Sequence, residues 1–157
     1  MEKPTNLDNT NKMVILVADD DEDDQLFTKE AFDESKLSID MRFVNDGLEL
    51  LDYLKQRNKY ANPDESPRPS LILLDLNMPK MDGREALKEI KNDETLRMIP
   101  VVALTTSKAE KDVLKTYELG INSFITKPVT IDDFIEIAST LGHYWLEIVQ
   151  LPQQHKK

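Results

Sequence analysis

Short apolar runs alternate along the chain with longer stretches in which apolar residues recur at helical spacing. The runs at 13–18, 71–74 and 99–104 are short and unbroken, which predicts strands that are buried on both faces. Apolar and polar residues alternate over 39–43, which predicts another strand, and 123–126 predicts the last one. A helical stretch follows each of these strands, so the pattern indicates five β-then-α units.

The helical stretches complete the predicted fold. The first helix is expected at about 23–35, the second opens at Gly47, the third follows Gly83, the fourth spans about 108–119, and the fifth begins near Ile131. The residues expected to face the core are Leu26, Phe27, Ala31, Phe32, Leu48, Leu51, Leu54, Leu87, Ile90, Phe134, Ile135, Ala138 and Leu141. This order predicts an α/β protein, a flavodoxin-like (βα)5 doubly wound parallel sheet with strand order 2-1-3-4-5.

Composition limits the classes of protein that remain. A chain of 157 residues, 39% hydrophobic and 32% charged, predicts one globular domain at 13–142, with a flexible arm at 1–12 and a C-terminal helical extension and tail at 143–157. The sequence contains no cysteine, which excludes disulfides and thiolate metal sites and fits a cytoplasmic location. Apolar runs are too short for a membrane helix, and a net charge of -10 argues against nucleic-acid binding.

Polar residues stand where the predicted strands end. Asp19 and Asp20 follow the first strand, Asp75 follows the third, Thr105 follows the fourth and Lys127 follows the fifth. In an open α/β sheet the carboxyl ends of the strands form the ligand-binding edge. Taken singly, each of these residues has an ordinary explanation as a solvated acidic run, a turn residue, a helix cap or a surface lysine. Their arrival at one edge from four separate strands predicts a common site.

The chemistry of this set is that of a hard cation and a phosphoryl group. Clustered carboxylates repel one another unless a cation lies among them, and oxygen ligands suit Mg²⁺. A free oxygen of Asp75 could then attack phosphorus and form an aspartyl phosphate. Lys127 could neutralise one phosphoryl oxygen and the Thr105 hydroxyl could bind another, which is the positioning and charge neutralisation that phosphoryl transfer requires.

A calcium loop is the competing interpretation of the acidic run. Asp19, Asp21, Asp23 and Glu30 occupy positions 1, 3, 5 and 12 of the EF-hand pattern. Position 6 of that pattern requires glycine, but this chain has Asp24 there, and a buried strand precedes the loop where an EF-hand has a helix. The EF-hand is therefore rejected.

These residues together resemble the receiver domain of two-component response regulators, over about residues 13–142. The motifs that carry the resemblance are the Asp19-Asp20 pair, the run from Leu74 to Gly83 that contains Asp75, the residue Thr105, and the Lys127-Pro128 pair. The resemblance implies that Asp75 is the phosphoacceptor, and that Lys127 contacts the phosphoryl group.

The resemblance also implies the remaining roles in the site. Asp20, Asp75 and the backbone carbonyl of Asn77 would bind Mg²⁺, with Asp19 acting through water. The other roles implied are a cis peptide bond before Pro128 and a switch pair formed by Thr105 and Phe124. An ordinary packing role for the Phe124 ring is an equal alternative.

Three features resemble more closely the small stand-alone receivers that are paired with phytochromes. They are the proline-bearing insertion at 58–70, the run 74–85, and the tail from His143 to Pro152. The resemblance implies a sensor histidine kinase as partner, with a phytochrome-like kinase as the narrower expectation.

The expected function is a single-domain response regulator that signals by protein contact or phosphorelay. The chain after Leu141 is too short for an effector domain, and no action on a metabolite is expected. A haloacid-dehalogenase-like phosphatase would also use Asp75 as a nucleophile, but it needs a second aspartate where this chain has Asn77. A receiver fold that binds partners without phosphorylation is the third alternative, and the intact site argues against it.

The tail carries aromatic residues whose role is open. Tyr144, Trp145 and Ile148 share one side of a helical continuation, one turn after Leu141. They either fold back onto their own domain or form a dimer or partner surface. A homodimer through the fourth helix, fifth strand and fifth helix is the expectation, with these residues contributing to it.

Overall fold

The computed structural model describes residues 13–35, 37–78, 80–105, 117–128 and 130–148; for Thr105 and 146–148 it describes the backbone alone. The predicted arm at 1–12, the tail beyond Ile148 and nearly all of the predicted fourth helix lie outside these residues. Among the helices described, none combines the length and the apolar character needed to cross a bilayer.

A five-stranded parallel sheet forms the centre of the domain, and its order β2-β1-β3-β4-β5 confirms the predicted topology. The strands are β1 (Met13–Ala18), β2 (Ile39–Val44), β3 (Leu71–Leu74), β4 (Val101–Thr105) and β5 (Ser123–Thr126). In the register Ala18 lies opposite Leu74, and Thr105 lies opposite Thr126. The residues that follow these positions therefore emerge at one edge of the sheet.

Four α-helices are described, and each begins at a polar side chain that accepts hydrogen bonds from its first turn. They are α1 (Glu22–Glu34), α2 (Gly47–Leu54), α3 (Gly83–Asn92) and α4 (Ile131–Gly142), which is the fifth helix of the sequence prediction. Their N-caps are Asp21, Asp46, Asp82 and Thr130. Each cap satisfies backbone N–H groups that a helix leaves unpaired at its start, which fixes where the helix begins.

The helices cover the two faces of the sheet and create two core layers. Phe32, Phe134 and Trp145 belong to the layer under α1 and α4. Leu50, Leu87 and Ile90 belong to the layer under α2 and α3. Both faces of the central strands are therefore buried, which is why their sequences show no polar alternation.

Two residues predicted to face the core do not. Leu26 is 58% exposed and Leu48 is 45% exposed, so these predictions are wrong. The buried face of α1 includes Ala31 and Phe32. In α2 the buried face includes Leu50, which the helical-spacing argument omitted. Both helices are therefore rotated about their axes relative to the predicted faces.

Helix α3 starts at a glycine because its backbone approaches the end of β3 closely. A Cβ atom at Gly83 would lie 2.6 Å from the carbonyl oxygen of Asp75 and 2.7 Å from the Cα of Leu76. The Gly83 N–H also donates to the Leu76 carbonyl at 3.0 Å. Only a residue without a side chain allows this contact, which sets the position of the loop that carries Asp75.

The proline-bearing insertion at 58–70 is ordered by its own polar contacts. It contains short 3₁₀ turns at Asn58–Tyr60 and Pro63–Glu65. The Ser66 hydroxyl is within hydrogen-bond distance of the carbonyls of Tyr60 and Asn62, and the Tyr53 hydroxyl donates to the Pro67 carbonyl at 2.8 Å. The insertion is therefore attached to the end of α2.

The C-terminal extension continues α4 as a π-helical turn, His143–Ile148. Trp145 is only 9% exposed and packs in the same core layer as Phe134 and Leu141, so its expected role as a partner-binding anchor is corrected. The reason is spacing, because Trp145 lies four residues after Leu141 and continues the buried stripe of α4. Tyr144 is half exposed, and the Ile148 side chain lies outside the described part of the chain.

Candidate functional site

The ends of the central strands bring the predicted acidic residues together. The Asp19 N–H donates to the Val44 carbonyl, and the Asp75 N–H donates to the Ala18 carbonyl, so both aspartates extend the ladders by one residue. One carboxylate oxygen from each of Asp19, Asp20 and Asp75 lies within 4.8 Å of the others. Asp19 and Asp75 are 3% and 7% exposed, whereas Asp20 faces solvent.

Lys127, just after β5, supplies the positive charge. Its Nζ lies 2.8 Å from Asp19 Oδ2, 2.7 Å from Asp24 Oδ2 and 3.1 Å from Asp75 Oδ2. Its side chain is only 10% exposed. A single ammonium group therefore contacts three carboxylates in a place that excludes most water.

The ionisation of the site follows from this imbalance of charge. Burial raises the pKa of Asp19 to about 6, although the hydrogen bond from Lys127 opposes that shift. Burial by itself would lower the pKa of Lys127, but the hydrogen bonds to Asp19 and Asp24 outweigh burial and raise it. Lys127 is thus held in its charged form, but one positive charge cannot neutralise the three carboxylates that it contacts.

Each oxygen of Asp75 has a donor. Asp75 Oδ1 accepts a hydrogen bond from the Asn77 N–H at 3.0 Å, and Oδ2 accepts one from Lys127. Asn77 lies in the loop between β3 and α3, whose approach to the sheet is set by Gly83. The carboxylate is therefore oriented from both sides before any ligand is bound.

The donor set fits a hard divalent cation. Three carboxylate oxygens converge, one of them on the solvent-facing Asp20, and oxygen ligands of this kind suit Mg²⁺, which keeps several waters when it binds to proteins. A cation here would relieve the repulsion that Lys127 alone leaves uncompensated. The structure thus brings together Asp19, Asp20, Asp75 and Lys127, as the sequence predicted.

The two predicted switch residues lie on neighbouring strands. Thr105 ends β4, and its side chain lies outside the described part of the structure. Phe124 in β5 is partly buried and packs against the α2–α3 layer, and its N–H donates to the Tyr117 hydroxyl at 3.1 Å. The ring is thus in contact with the core, which fits both the switch role and the packing role that the sequence left open.

The expected cis peptide bond before Pro128 is corrected. Within the residues that the structure describes no peptide bond is cis, so Lys127 and Pro128 are joined in trans. The trans form is the more stable one for most bonds to proline, by roughly 0.5–1 kcal/mol. In this conformation Lys127 already reaches all three of its carboxylate partners.

Sequence reasoning missed two residues of the site. Asp24 is the third residue of α1 and contacts Lys127, although it read only as one member of an acidic run. Gln25 donates through Nε2 to the Asp19 carbonyl at 2.6 Å and to Asn45 Oδ1 at 2.8 Å. Asp24 could have been predicted from its place in the first turn of α1, which begins beside the strand ends. No feature of the sequence indicated a role for Gln25.

Comparisons with known proteins agree with this geometry. Residues 15–139 match the family described as the response regulator receiver domain. Over 139 residues the chain is 43% identical to the response regulator Rcp1 of Synechocystis sp., covering 88% of this chain and 92% of that protein. The fold superposes with a TM-score of 0.84 on the phosphorylated cyanobacterial phytochrome response regulator RcpA (41% identity; 90% of this chain and 99% of that one). For the Mn²⁺-bound form of Rcp1 the TM-score is 0.78 (42% identity, the same two coverages).

Proposed function

The chain belongs to the response regulator receiver domain family, and we propose that it is a single-domain response regulator that accepts a phosphoryl group on Asp75. Phosphorylation by a sensor histidine kinase is the mechanism of this family. The observation that carries the proposal is the state of the Asp75 carboxylate. It is buried, held by Asn77 and Lys127, and adjacent to Asp19 and Asp20.

The proposed reaction is one displacement at phosphorus. A carboxylate oxygen of Asp75 forms the new O–P bond, and the P–N bond of the donor phosphohistidine breaks, so the electron pair leaves with the imidazole nitrogen. Lys127 pairs with the incoming phosphoryl oxygens, and the Thr105 hydroxyl is assigned a hydrogen bond to one of them. Hydrolysis of the Asp75 phosphate by water returns the protein to its starting state. The chain thus acts on no metabolite.

Receiver domains bind Mg²⁺ at an acidic pocket, and the cluster described above fits that role. We assign Asp20, Asp75 and the backbone carbonyl of Asn77 as ligands, with Asp19 acting through water. When bound, the cation would neutralise negative charge that builds up on the phosphoryl oxygens. The existence of a Mn²⁺-bound form of the relative Rcp1 supports the binding of a divalent cation by this chain as well.

The response to phosphorylation is assigned to Thr105 and Phe124. A dianion on Asp75 would attract the Thr105 hydroxyl and the Lys127 ammonium group, and the Phe124 ring would move into the space vacated beside β4. The partial burial of Phe124 supports this assignment, since a ring already in contact with the core can exchange one packed position for another.

The proposed partners are a sensor histidine kinase and a second copy of this chain. Similarity to RcpA, a cyanobacterial phytochrome response regulator, supports a phytochrome-like kinase acting in the cytoplasm. The homodimer is assigned to the segment before β5, to β5 itself, and to α4 with the exposed Tyr144. We take residues 13–142 as the phosphorylated domain, with the arm before it and with an extension after it whose Trp145 packs against the domain.

Intact-mass measurement tests the proposal. The protein is incubated with Mg²⁺ and acetyl phosphate, and a gain of one phosphoryl group is expected. The gain should vanish in Asp75→Ala and after chelation of Mg²⁺, and it should persist in Asp33→Ala, which changes an exposed carboxylate of α1. A wild-type protein that gains no phosphoryl group from acetyl phosphate or from a histidine kinase would contradict the proposal.

A further inference from the structure

A chain of hydrogen bonds runs from the acidic site to the proline-bearing insertion. It begins at Gln25, whose side-chain amide donates to the backbone carbonyl of Asp19 at 2.6 Å. The same amide donates to Asn45 Oδ1 at 2.8 Å. Asn45 in turn donates to Glu49 Oε1 twice, from its backbone N–H at 2.6 Å and from Nδ2 at 3.1 Å.

The chain of hydrogen bonds reaches the insertion through Glu49. The second oxygen of Glu49 accepts a hydrogen bond from the Tyr60 hydroxyl and forms an ion pair with Lys59 at 2.8 Å. Glu49 is also fixed through its own N–H, which donates to Asp46, the N-cap of α2. Donors therefore surround both carboxylate oxygens, so its side chain forms a rigid link between the insertion and Asn45.

Gln25 connects this chain of hydrogen bonds to the proposed metal site, because it contacts the backbone of Asp19. The carbonyl of Asp19 belongs to the peptide group that joins Asp19 to Asp20. A hydrogen bond to that oxygen fixes the orientation of the peptide, and thereby the direction in which the two carboxylates leave the backbone. Asp20 faces solvent and is the member of the cluster least constrained by packing, so it depends most on this bond.

We propose that Gln25 is a positioning residue for divalent cation binding, and that Asn45, Glu49 and Tyr60 hold it in place from the insertion. The inference rests on the proposed function, because it assigns a support to the same Mg²⁺ site. Residues that orient metal ligands commonly change metal affinity by about 10–100-fold when they are replaced. The insertion thus has a role in the chemistry of a site that it does not touch.

Titration calorimetry of the full chain with Mg²⁺ tests the first link. Gln25→Met keeps the length of the side chain and removes its donor, and we expect an affinity loss of about tenfold. The urea midpoint of the metal-free protein is measured in parallel. A lower midpoint with unchanged Mg²⁺ affinity would assign Gln25 a merely structural role and overturn the proposal.

Glu49 provides a test at a residue outside the metal cluster. Glu49→Ala should weaken Mg²⁺ binding, whereas Glu49→Gln retains an oxygen acceptor for Asn45 and should restore most of the affinity. The double variant Gln25→Met/Glu49→Ala should bind Mg²⁺ no more weakly than the weaker single variant, since both break one chain. Fold losses that multiply would show two independent effects and would overturn the coupling.

Two tyrosines give a matched control at the insertion. The rings of Tyr53 and Tyr60 lie 5.2 Å apart, and the Tyr53 hydroxyl bonds the Pro67 carbonyl outside the chain of hydrogen bonds. Tyr60→Phe should weaken Mg²⁺ binding and Tyr53→Phe should not; equal effects would contradict the proposal. A wild-type protein that binds no Mg²⁺ would contradict the proposed function itself, whereas wild-type binding with unaffected variants would contradict this inference alone.

Discussion

Lys127 is the residue on which the charge balance of the site depends. Its ammonium group contacts Asp19, Asp24 and Asp75, two of which are buried. Removing one partner of a buried ion pair leaves uncompensated charge and typically costs about 3–5 kcal/mol. We therefore expect Lys127→Gln to lower the free energy of unfolding of the metal-free protein by an amount of this order, and added Mg²⁺ to recover part of the loss.

Urea denaturation with and without Mg²⁺ measures this effect, and Lys29→Gln is the control. Lys29 pairs with Asp33 at 3.1 Å on the surface of α1, where both side chains are more than half exposed. An exposed pair of this kind contributes less than about 1 kcal/mol. Equal losses in the two variants, or a Lys127→Gln loss that Mg²⁺ leaves unchanged, would show that the site is not organised by this charge.

Some residues of the site could be predicted from the sequence and others could not. Asp19, Asp20, Asp75 and Lys127 were predictable because each directly follows a buried strand, and parallel strands bring their ends to one edge. Asp24 contacts the site from a helix, and its selection from the acidic run depends on the rotation of α1. The peptide bond before Pro128 depends on conformation alone, which is why resemblance predicted it wrongly.

Helix α3 shows how one element positions the site. A Cβ at Gly83 would overlap backbone atoms of Asp75 and Leu76, which have no freedom to rotate away. Overpacking of this kind costs typically about 1–3 kcal/mol. Gly83→Ala should therefore lower the free energy of unfolding and displace the loop that carries Asp75, with slower phosphorylation by acetyl phosphate. Urea denaturation and intact-mass kinetics measure the two effects.

Gly142→Ala is the matched control for that prediction. A Cβ at Gly142 would overlap Cδ1 of Leu37, so the end of that side chain must shift, whereas the backbone atoms that Gly83 faces cannot. Alanine also favours a helix over glycine by roughly 1 kcal/mol. We expect stability near that of the wild type and an unchanged rate of phosphorylation. Equal destabilisation by the two substitutions would mean that contact with the β3 backbone is not what requires glycine at Gly83.

The elements themselves were predictable to different degrees. Strands β1 and β3 were evident because they contain no polar residue, as expected for strands in the middle of a parallel sheet. Strand β2 was predicted instead from the alternation of its apolar and polar residues. The inward faces of the amphipathic helices were less certain. Helix α1 carries charged residues over most of its surface, so Leu26 was predicted to face the core because it is one of its few apolar residues. The buried face of the helix instead includes Thr28, Ala31 and Phe32. The glycine at position 47 predicted the start of α2 correctly. It did not predict that the Leu48 side chain lies on the outer side of the helix.

On the scale of the whole molecule, the domain consists of two layers that share one sheet, and the C-terminal extension lengthens only one of them. Trp145 joins the α1–α4 layer and is 9% exposed, while its neighbour Tyr144 is 50% exposed. The two rings are in edge-to-face contact, with centroids 5.3 Å apart. Of these adjacent aromatic residues, Trp145 is therefore packed in the core and Tyr144 is exposed to solvent.

This division predicts opposite results for two neighbouring substitutions. Trp145→Ala empties a core position and should lower the free energy of unfolding by about 3–5 kcal/mol. Tyr144→Ala should change stability little and should shift the proposed homodimer toward monomer in sedimentation, because an exposed aromatic ring is the kind of anchor that interfaces use. A dimer that persists in Tyr144→Ala would remove the extension from the interface. A Trp145→Ala variant as stable as the wild type would instead mean that Trp145 does not belong to the core, because a buried side chain must contribute to folding in proportion to the apolar surface it buries.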